Sequence, residues 1–466
     1  MAPARPRPRD LESGRASERT PLLHALGPAA IEVPVVNDVN TAAADAQLVQ
    51  RSPRLLYLDH VRGLLMVLQS IDHSRYFLSR ISLPHEEWWN MPDYQGSYYH
   101  LLVRGLSAIC APGFMLTMGM SIVLFSNSRM RLNWPWSKIL NHFFLRGAVL
   151  VVVNWAMQPA FASLVTTVLF ALGINIFLGA LILALEHTST TYLTTLLLKR
   201  SLPSDTASTR ATTASITLYA LAATLITCLA SWYTPAKSHA DDSFNPFFRL
   251  FFLPSKAADG LYSMYPPVPW LGMVLWGIGL QRLISTYNFS ARTTGLVHAV
   301  LGTLMWVIFI PLRLNEGFGN INPGELHPSP RESVISFFNL TKYPPSVVYT
   351  CCTMGIVHWV CAGFVSAEGR WGTGWWGGEG NVLVVFGRSA FFFYILHFYV
   401  YRTFQWLLIL FHFITPGTGW GDQAGNLPDP WYWLSWMAGL VVLYFACERY
   451  GRFKAGTPAD SLWRFF

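Results

Sequence analysis

The sequence predicts an all-α protein, a polytopic transmembrane helix bundle with about ten spans behind a disordered N-terminal tail, and three observations carry that expectation. Of its 466 residues, 52% are hydrophobic and only 12% charged, with a mean hydropathy of +0.33. That balance belongs to membrane proteins rather than to soluble enzymes. Windows of about twenty apolar residues, enough to cross a bilayer, begin near Leu55, Gly105, Ile139, Thr166, Ala214, Val268, Gly295, Ser346, Ser389 and Tyr432. The loops between them alternate in charge. Arg129, Arg131, Lys138, Lys199, Arg200, Arg210, Arg282, Arg292, Arg370, Arg388, Arg449, Arg452 and Lys454 all follow even-numbered windows. Glu86, Glu87, Asp93, Asp241, Asp242, Asp259, Glu316, Glu325, Glu332, Asp422 and Asp429 gather on the other side. By the positive-inside rule the basic loops and both termini are cytosolic.

Taken in order, residues 1–53 read as a disordered cytosolic tail, 54–452 as the transmembrane domain and 453–466 as a cytosolic C-terminal tail. The tail mixes Arg5, Arg7, Arg9, Arg15 and Arg19 with Pro, Ala and Ser and lacks the apolar core of a signal peptide. Its Glu18-Arg19-Thr20-Pro21-Leu22-Leu23 run has the acidic dileucine spacing that sorting adaptors read, which suits a vacuolar or endolysosomal membrane. The net charge of +8 is explained by cytosolic segments facing anionic lipid, so the bilayer and not nucleic acid is the expected partner.

The first window is the most informative. It carries two ionisable tetrads, Asp59-His60-Val61-Arg62 and Asp72-His73-Ser74-Arg75, thirteen residues apart. On a helix that separation is about 20 Å, so one tetrad lies toward each face of a hydrocarbon core about 30 Å thick. Charges inside a span are costly unless paired and usually mark function. Within each tetrad the Asp and Arg are i,i+3 neighbours and can offset each other's desolvation. Asp72 and His73 are adjacent and do not face each other on an ideal helix, so coupling between them needs a kink, a water or another helix.

Further on, Cys110-Ala111-Pro112-Gly113-Phe114 puts a helix breaker into the second window, and Pro266-Pro267-Val268-Pro269-Trp270 opens the sixth. Breaks of this kind are tolerated where they line a cavity. His85, in the first non-cytosolic loop beside Glu86, Glu87, Trp88 and Trp89, is either a surface residue or part of a site roofed by aromatic rings. Lys342 and Tyr343 precede Pro344 and Pro345 at a membrane boundary, as interfacial anchors or as donors to an anion. His397 lies deep in a span, where it needs a partner. Arg146 and Arg388, at cytosolic ends of spans, are suited to phosphate. All six cysteines fall in predicted spans, so no disulfide is expected. Zinc-ligand spacing, a phosphate-binding glycine loop and a nucleophile elbow are absent from the sequence, and no metal is expected.

These stretches resemble a known family, the heparan-alpha-glucosaminide N-acetyltransferase-like multipass acyltransferases, especially its microbial branch. The matching runs are Leu58-Asp59-His60-Val61-Arg62-Gly63-Leu64 with Asp72-His73-Ser74-Arg75, Cys110-Ala111-Pro112-Gly113-Phe114, and Val268-Pro269-Trp270-Leu271-Gly272. They continue with Thr341-Lys342-Tyr343-Pro344-Pro345-Ser346 and with Gly387-Arg388 and Phe393-Tyr394-Ile395-Leu396-His397, covering most of the chain from Arg54 to about Arg402. The resemblance implies transfer of an acyl group, usually acetyl, from cytosolic acetyl-CoA or another acyl-CoA to a glycan or small-molecule acceptor on the far side. It also implies a catalytic histidine in the first luminal loop, the position of His85, with His73 where the family looks to have a polar helper. The large luminal domain that precedes the first helix in the animal enzyme has no counterpart here, which makes heparan the less expected acceptor.

The resulting expectation is an acyltransferase with His73 or His85 as general base, Asp72 orienting it, and Lys342, Tyr343 or Arg75 stabilising an oxyanion. His397 joins the acceptor side, and Arg62, Arg146 and Arg388 hold coenzyme A. A proton- or anion-coupled transporter built on the paired tetrads is the alternative, and a homodimer is left open.

Overall fold

The structure, a computed structural model, describes residues 55–79, 85–88, 90–158, 164–234, 244–321, 329–371, 376–378, 380–414, 427–458, 461 and 463. The tail over residues 1–53 with its sorting pattern, the loop residues Asp241, Asp242, Glu325 and Asp422, and Trp89 lie outside them.

Helices account for nearly all of the regular structure. They are α1 (Leu56–Leu78), α2 (Tyr98–Ala108), α3 (Cys110–Met130), α4 (Trp136–Ala156), α5 (Val168–Lys199), α6 (Ser204–Tyr233) and α7 (Pro246–Phe252). There follow α8 (Pro267–Thr286), α9 (Ala291–Leu314), α10 (Val334–Phe338), α11 (Val347–Trp371), α12 (Val382–Arg388), α13 (Ala390–Leu410) and α14 (Asp429–Gly456). Among the described residues, seven helices are long and apolar enough to cross a membrane, with α2 and α3 acting as one of them, and the bent pair of α12 and α13 makes an eighth. Windows one and six, which form α1 and α8, do not meet that measure. In α1 the reason is chemical, since Asp59, Arg62, Asp72 and Arg75 interrupt its apolar run. The last helix continues to Gly456, past the expected start of a tail at 453.

Local signals set the helix ends. Ser97, Ser290 and Asn381 cap α2, α9 and α12 with side-chain oxygens that accept backbone N–H groups. The expected break in the second window occurs at Ile109, and Pro112 then sits in the first turn of α3, where its missing N–H costs nothing. Three short strands, β1 (Leu164–Thr166), β2 (Ser255–Ala258) and β3 (Leu261–Ser263), form a small sheet in the order β1-β3-β2, with β1 parallel and β2 antiparallel to β3. Hydropathy windows do not register strands so short.

The core runs through Leu58, Val61 and Leu65 of α1, Met115, Leu116 and Met120 of α3, and Val274 and Ile278 of α8. The outer helices do the reverse. Leu218, Leu221 and Leu225 of α6 and Leu304 and Val307 of α9 are exposed, the pattern of helices that face lipid. Close approach of helices rests on glycine, as usual where lipid removes the hydrophobic drive for association. A Cβ at Gly387 of α12 would collide with the Asp59 carbonyl, and one at Gly63 of α1 with the Leu383 backbone. Gly119 of α3 and Gly277 of α8 make a similar contact.

Candidate functional site

Three pieces of chain converge at the C-terminal end of α1. The loop of residues 85–88 is held against the Thr341–Tyr343 segment by the Glu86 carbonyl, which accepts from the backbone N–H groups of Lys342 (3.0 Å) and Tyr343 (3.1 Å). The Trp88 N–H donates back to the Tyr343 carbonyl at 3.0 Å. The second segment is fixed by Arg313 of α9, only 2% exposed. Its guanidinium donates to the carbonyls of Ser336 (2.6 Å), Phe337 (2.9 Å) and Asn339 (2.9 Å) and to Asn320 Oδ1 (2.7 Å). Helix α14 secures α1 itself, through Trp436 Nε1 donating to Ser70 Oγ (2.9 Å) and Tyr432 OH donating to the Ile71 carbonyl (2.7 Å).

At the centre stands Arg104 of α2. Its Nε and Nη2 donate to the two carboxylate oxygens of Glu86, both at 2.8 Å, and its Nη1 donates to Asp72 at 2.6 and 2.5 Å. Arg75 Nη1 lies 3.6 Å from the same Asp72 carboxylate. Two arginines and two carboxylates thus form a near-neutral buried network, with the forked pairing that suits guanidinium.

His73 points another way, toward α13. His397 Nδ1 lies 3.1 Å from the Phe393 carbonyl, and its Nε2 lies 2.7 Å from His73 Nδ1. A carbonyl only accepts, so Nδ1 of a neutral His397 carries the hydrogen and its Nε2 is an acceptor. His73 must then donate from Nδ1, which leaves His73 Nε2 with its lone pair free. A histidine with one nitrogen fixed as donor and the other as acceptor is set up as a proton acceptor. The His397 side chain is buried (1% exposed), while His73 is half-buried. Asp72, expected to orient His73, has its carboxylate committed to Arg104; the partner that holds His73 is His397.

His85 Nε2 is 3.2 Å from Tyr76 OH, and its ring meets the Tyr343 ring edge-on at 6.2 Å. Burial, reinforced by the nearby Arg104 cation, pushes its pKa down to about 4. Lys342 Nζ lies 5.1 Å from the Tyr343 ring centre. Burial opposes its charge, but Tyr265 and Glu86 outweigh it and hold the ammonium above its usual range. Tyr343 OH donates to Tyr265 OH at 2.8 Å, so the outward hydrogen of that pair belongs to Tyr265. Asp72, His73, Arg75, His85, Lys342, Tyr343 and His397 therefore share one end of the bundle.

The other tetrad builds a second cluster about 20 Å away along α1. Arg62 donates to Asp59 Oδ1 (3.3 Å), the Thr117 carbonyl (3.4 Å) and Ser121 Oγ. Arg146 lies within electrostatic range of Arg62. Arg388 ends α12 directly after Gly387, the residue packed on Asp59. His60 is structural by its contacts: its ring packs against those of Phe364 and Trp376, and Nε2 meets the Trp376 carbonyl at 3.0 Å.

Sequence reasoning passed over Arg104, Tyr265 and a buried pair, His298 and His358, with Nδ1 atoms 2.9 Å apart and Trp276 Nε1 donating to His358 Nε2 at 3.0 Å. For Arg104 and the two histidines the available signal was one polar residue in an apolar stretch, as in Leu101-Leu102-Val103-Arg104 or Gly355-Ile356-Val357-His358, whereas Tyr265 lies in the loop before Pro266 and gave none. Among the described residues no group of three His, Cys, Asp or Glu side chains could hold a metal ion. The fold and the two clusters define a polytopic helical membrane protein with a buried polar centre. Compared with known proteins, the chain matches no family model and no curated protein.

Proposed function

We propose that the chain is an integral-membrane acyltransferase, carrying an acyl group, acetyl in the simplest case, from cytosolic acyl-CoA to an amine or hydroxyl of a sugar or small metabolite on the far side. The resemblance to the heparan-alpha-glucosaminide N-acetyltransferase-like family motivates the reading, and the hydrogen-bond chain from His73 through His397 to the Phe393 carbonyl is the observation that carries it. In this scheme His73 Nε2 takes the proton from the acceptor as it attacks the thioester carbonyl. The tetrahedral oxyanion is met by Lys342 and by the Tyr343–Tyr265 hydroxyl pair, and Arg75 adds positive charge. Collapse breaks the carbon–sulfur bond, and the thiolate of CoA recovers the proton held on His73. Arg104 is the positioning residue, tying the Asp72 and Glu86 carboxylates together and holding the loop that bears His85 in register. His85 is the second candidate base. Its low pKa keeps it neutral even in a compartment at about pH 5, where an ordinary histidine is cationic.

In the same reading α1 and α8 also cross the membrane, giving ten spans with both termini cytosolic, in a vacuolar or endolysosomal membrane. Their 23 and 20 residues reach about 30 Å or more at 1.5 Å per residue. The Arg62, Arg146 and Arg388 end then faces the cytosol, where partly accessible guanidinium groups fit the phosphates of coenzyme A.

The test is acceptor-dependent release of free CoA by the purified protein, with amino sugars and small hydroxylated metabolites as acceptors. His73→Ala should lower turnover by about 10²–10⁴-fold without loss of folded protein, and full activity in both His73→Ala and His85→Ala would remove the mechanism. The His298–His358 pair, polar matter inside the bundle that acyl transfer does not use, favours transport as the second reading. Substrate flux in proteoliposomes without CoA, together with no CoA binding, would decide for it.

A further inference from the structure

A cavity of about 590 Å³ lies between α5, α6 and α8, away from both α1 clusters. Its size falls within the range of roughly 300–1,000 Å³ typical of small-molecule sites. The walls are almost entirely apolar, with Ile182, Ile226, Leu271 and Leu275 among them. Leu185 and Leu218, also lining it, are 60% and 67% exposed, so the cavity opens sideways onto the surface that faces lipid.

One polar cluster, centred on Glu186, is set into this wall. Glu186 Oε1 accepts from Thr190 Oγ1 (2.8 Å), Ser215 Oγ (2.6 Å) and Arg282 Nη2 (2.9 Å). Its other oxygen, Oε2, is buried and accepts nothing; Tyr219 OH and Arg282 Nε are likewise buried without a hydrogen-bond partner. Tyr219 is only 4% exposed. An acceptor and two donors are therefore left over at one place beside an apolar cavity, and buried polar groups are rarely left unsatisfied without a reason.

We propose that this cavity binds a neutral membrane lipid through a free hydroxyl head. A hydroxyl both donates and accepts, so it can give its hydrogen to Glu186 Oε2 and receive one from Tyr219 or Arg282. Charge complementarity points the same way. The Glu186–Arg282 pair is already neutral, so a phosphate head would bring a negative charge that this pair does not compensate, and a quaternary amine would offer no donor. The hydrocarbon body then fills the apolar volume and leaves between α5 and α6.

The test uses the full chain purified in lipid nanodiscs, with a photoreactive diacylglycerol and a photoreactive sterol as separate probes, and maps the labelled peptides. Labelling confined to α5, α6 and α8 by either probe is expected, and the two arms separate a chain lipid from a ring lipid. Unlabelled parent lipid should displace the probe about tenfold better than its O-methyl ether, which cannot donate to Glu186. Tyr219→Phe should weaken binding without altering the cavity's shape, and Ala222→Trp should block labelling by filling it. Equal competition by the ether, labels scattered over all lipid-facing helices, or no label at all because a second copy of the chain covers the cavity would each overturn the proposal.

Discussion

Replacing Arg104 with Met should be among the most damaging single changes outside the apolar core. The guanidinium is 4% exposed and its partners Asp72 and Glu86 13% and 8%, so Met would fill most of the volume but leave two carboxylates buried beside each other. Removing one partner of a buried ion pair typically costs about 3–5 kcal/mol, chiefly because the remaining charge is uncompensated. Here two charges are stranded, with Arg75, at 3.6 Å from Asp72, and the more distant Lys342 ammonium left to answer them. Against a typical total stability of about 5–15 kcal/mol, that loss should appear plainly in denaturant unfolding of the purified protein in mixed micelles. The triple variant Arg104→Met, Asp72→Asn, Glu86→Gln removes the charges together and should recover most of the stability, because a neutral replacement of a whole buried network is often tolerated. Wild-type stability in the single variant, or no recovery in the triple, would refute the claim that Arg104 works by compensating charge.

Other outcomes follow from the same geometry. The His85 pKa lies near 4 in the folded chain against 6.5 unfolded, so between these values the unfolded chain binds the extra proton. Stability should accordingly fall by about 3 kcal/mol as pH drops from 6.5 to 4, and His85→Gln should flatten that part of the pH profile. Gly387→Ala drives a methyl into the Asp59 carbonyl and should cost about 1–3 kcal/mol as overpacking. Gly451→Ala, which meets only Ser389 Oγ at 3.7 Å, should be neutral or better in the same unfolding assay. His397→Ala should lower turnover in the CoA-release assay while leaving CoA binding unchanged, since it frees the His73 ring without touching the Arg62 end.

What the sequence disclosed was periodic or composed in a run. The helical character, most apolar windows and the paired tetrads could be read because each is a local pattern in hydropathy or spacing. The adjacency of Asp72 and His73 indicated that the two do not face each other on one helix, and in the structure they turn to different helices, α2 and α13. The partners themselves were not legible. Arg104 and Glu86 are eighteen residues apart, His73 and His397 three hundred and twenty-four, and Glu186 and Arg282 ninety-six. Pairings at such separations are set by which helices pack together, and here packing is governed by glycine contacts whose partners no periodicity reveals. The bend between α12 and α13 was not legible either, since Gly387-Arg388-Ser389 reads as the loop before the ninth window and not as the corner of one broken span.

That bend explains how one straight helix serves two clusters. Helices α12 and α13 meet at 100°, so α12 lies against the Asp59 end of α1 while α13 runs on toward the other tetrad. From Arg388 to His397 is nine residues, about 13 Å of helix, added to the turn at Ser389. Each tetrad of α1 thus faces one arm of the same bent pair: Asp59 packs on Gly387 in one arm, and His73 is held by His397 in the other. Ser389 Oγ donates to the Cys447 carbonyl of α14 at 3.3 Å, tying the corner to the helix that also grips Ser70 and Ile71. The two arms of this one bent pair therefore touch both polar ends of the bundle.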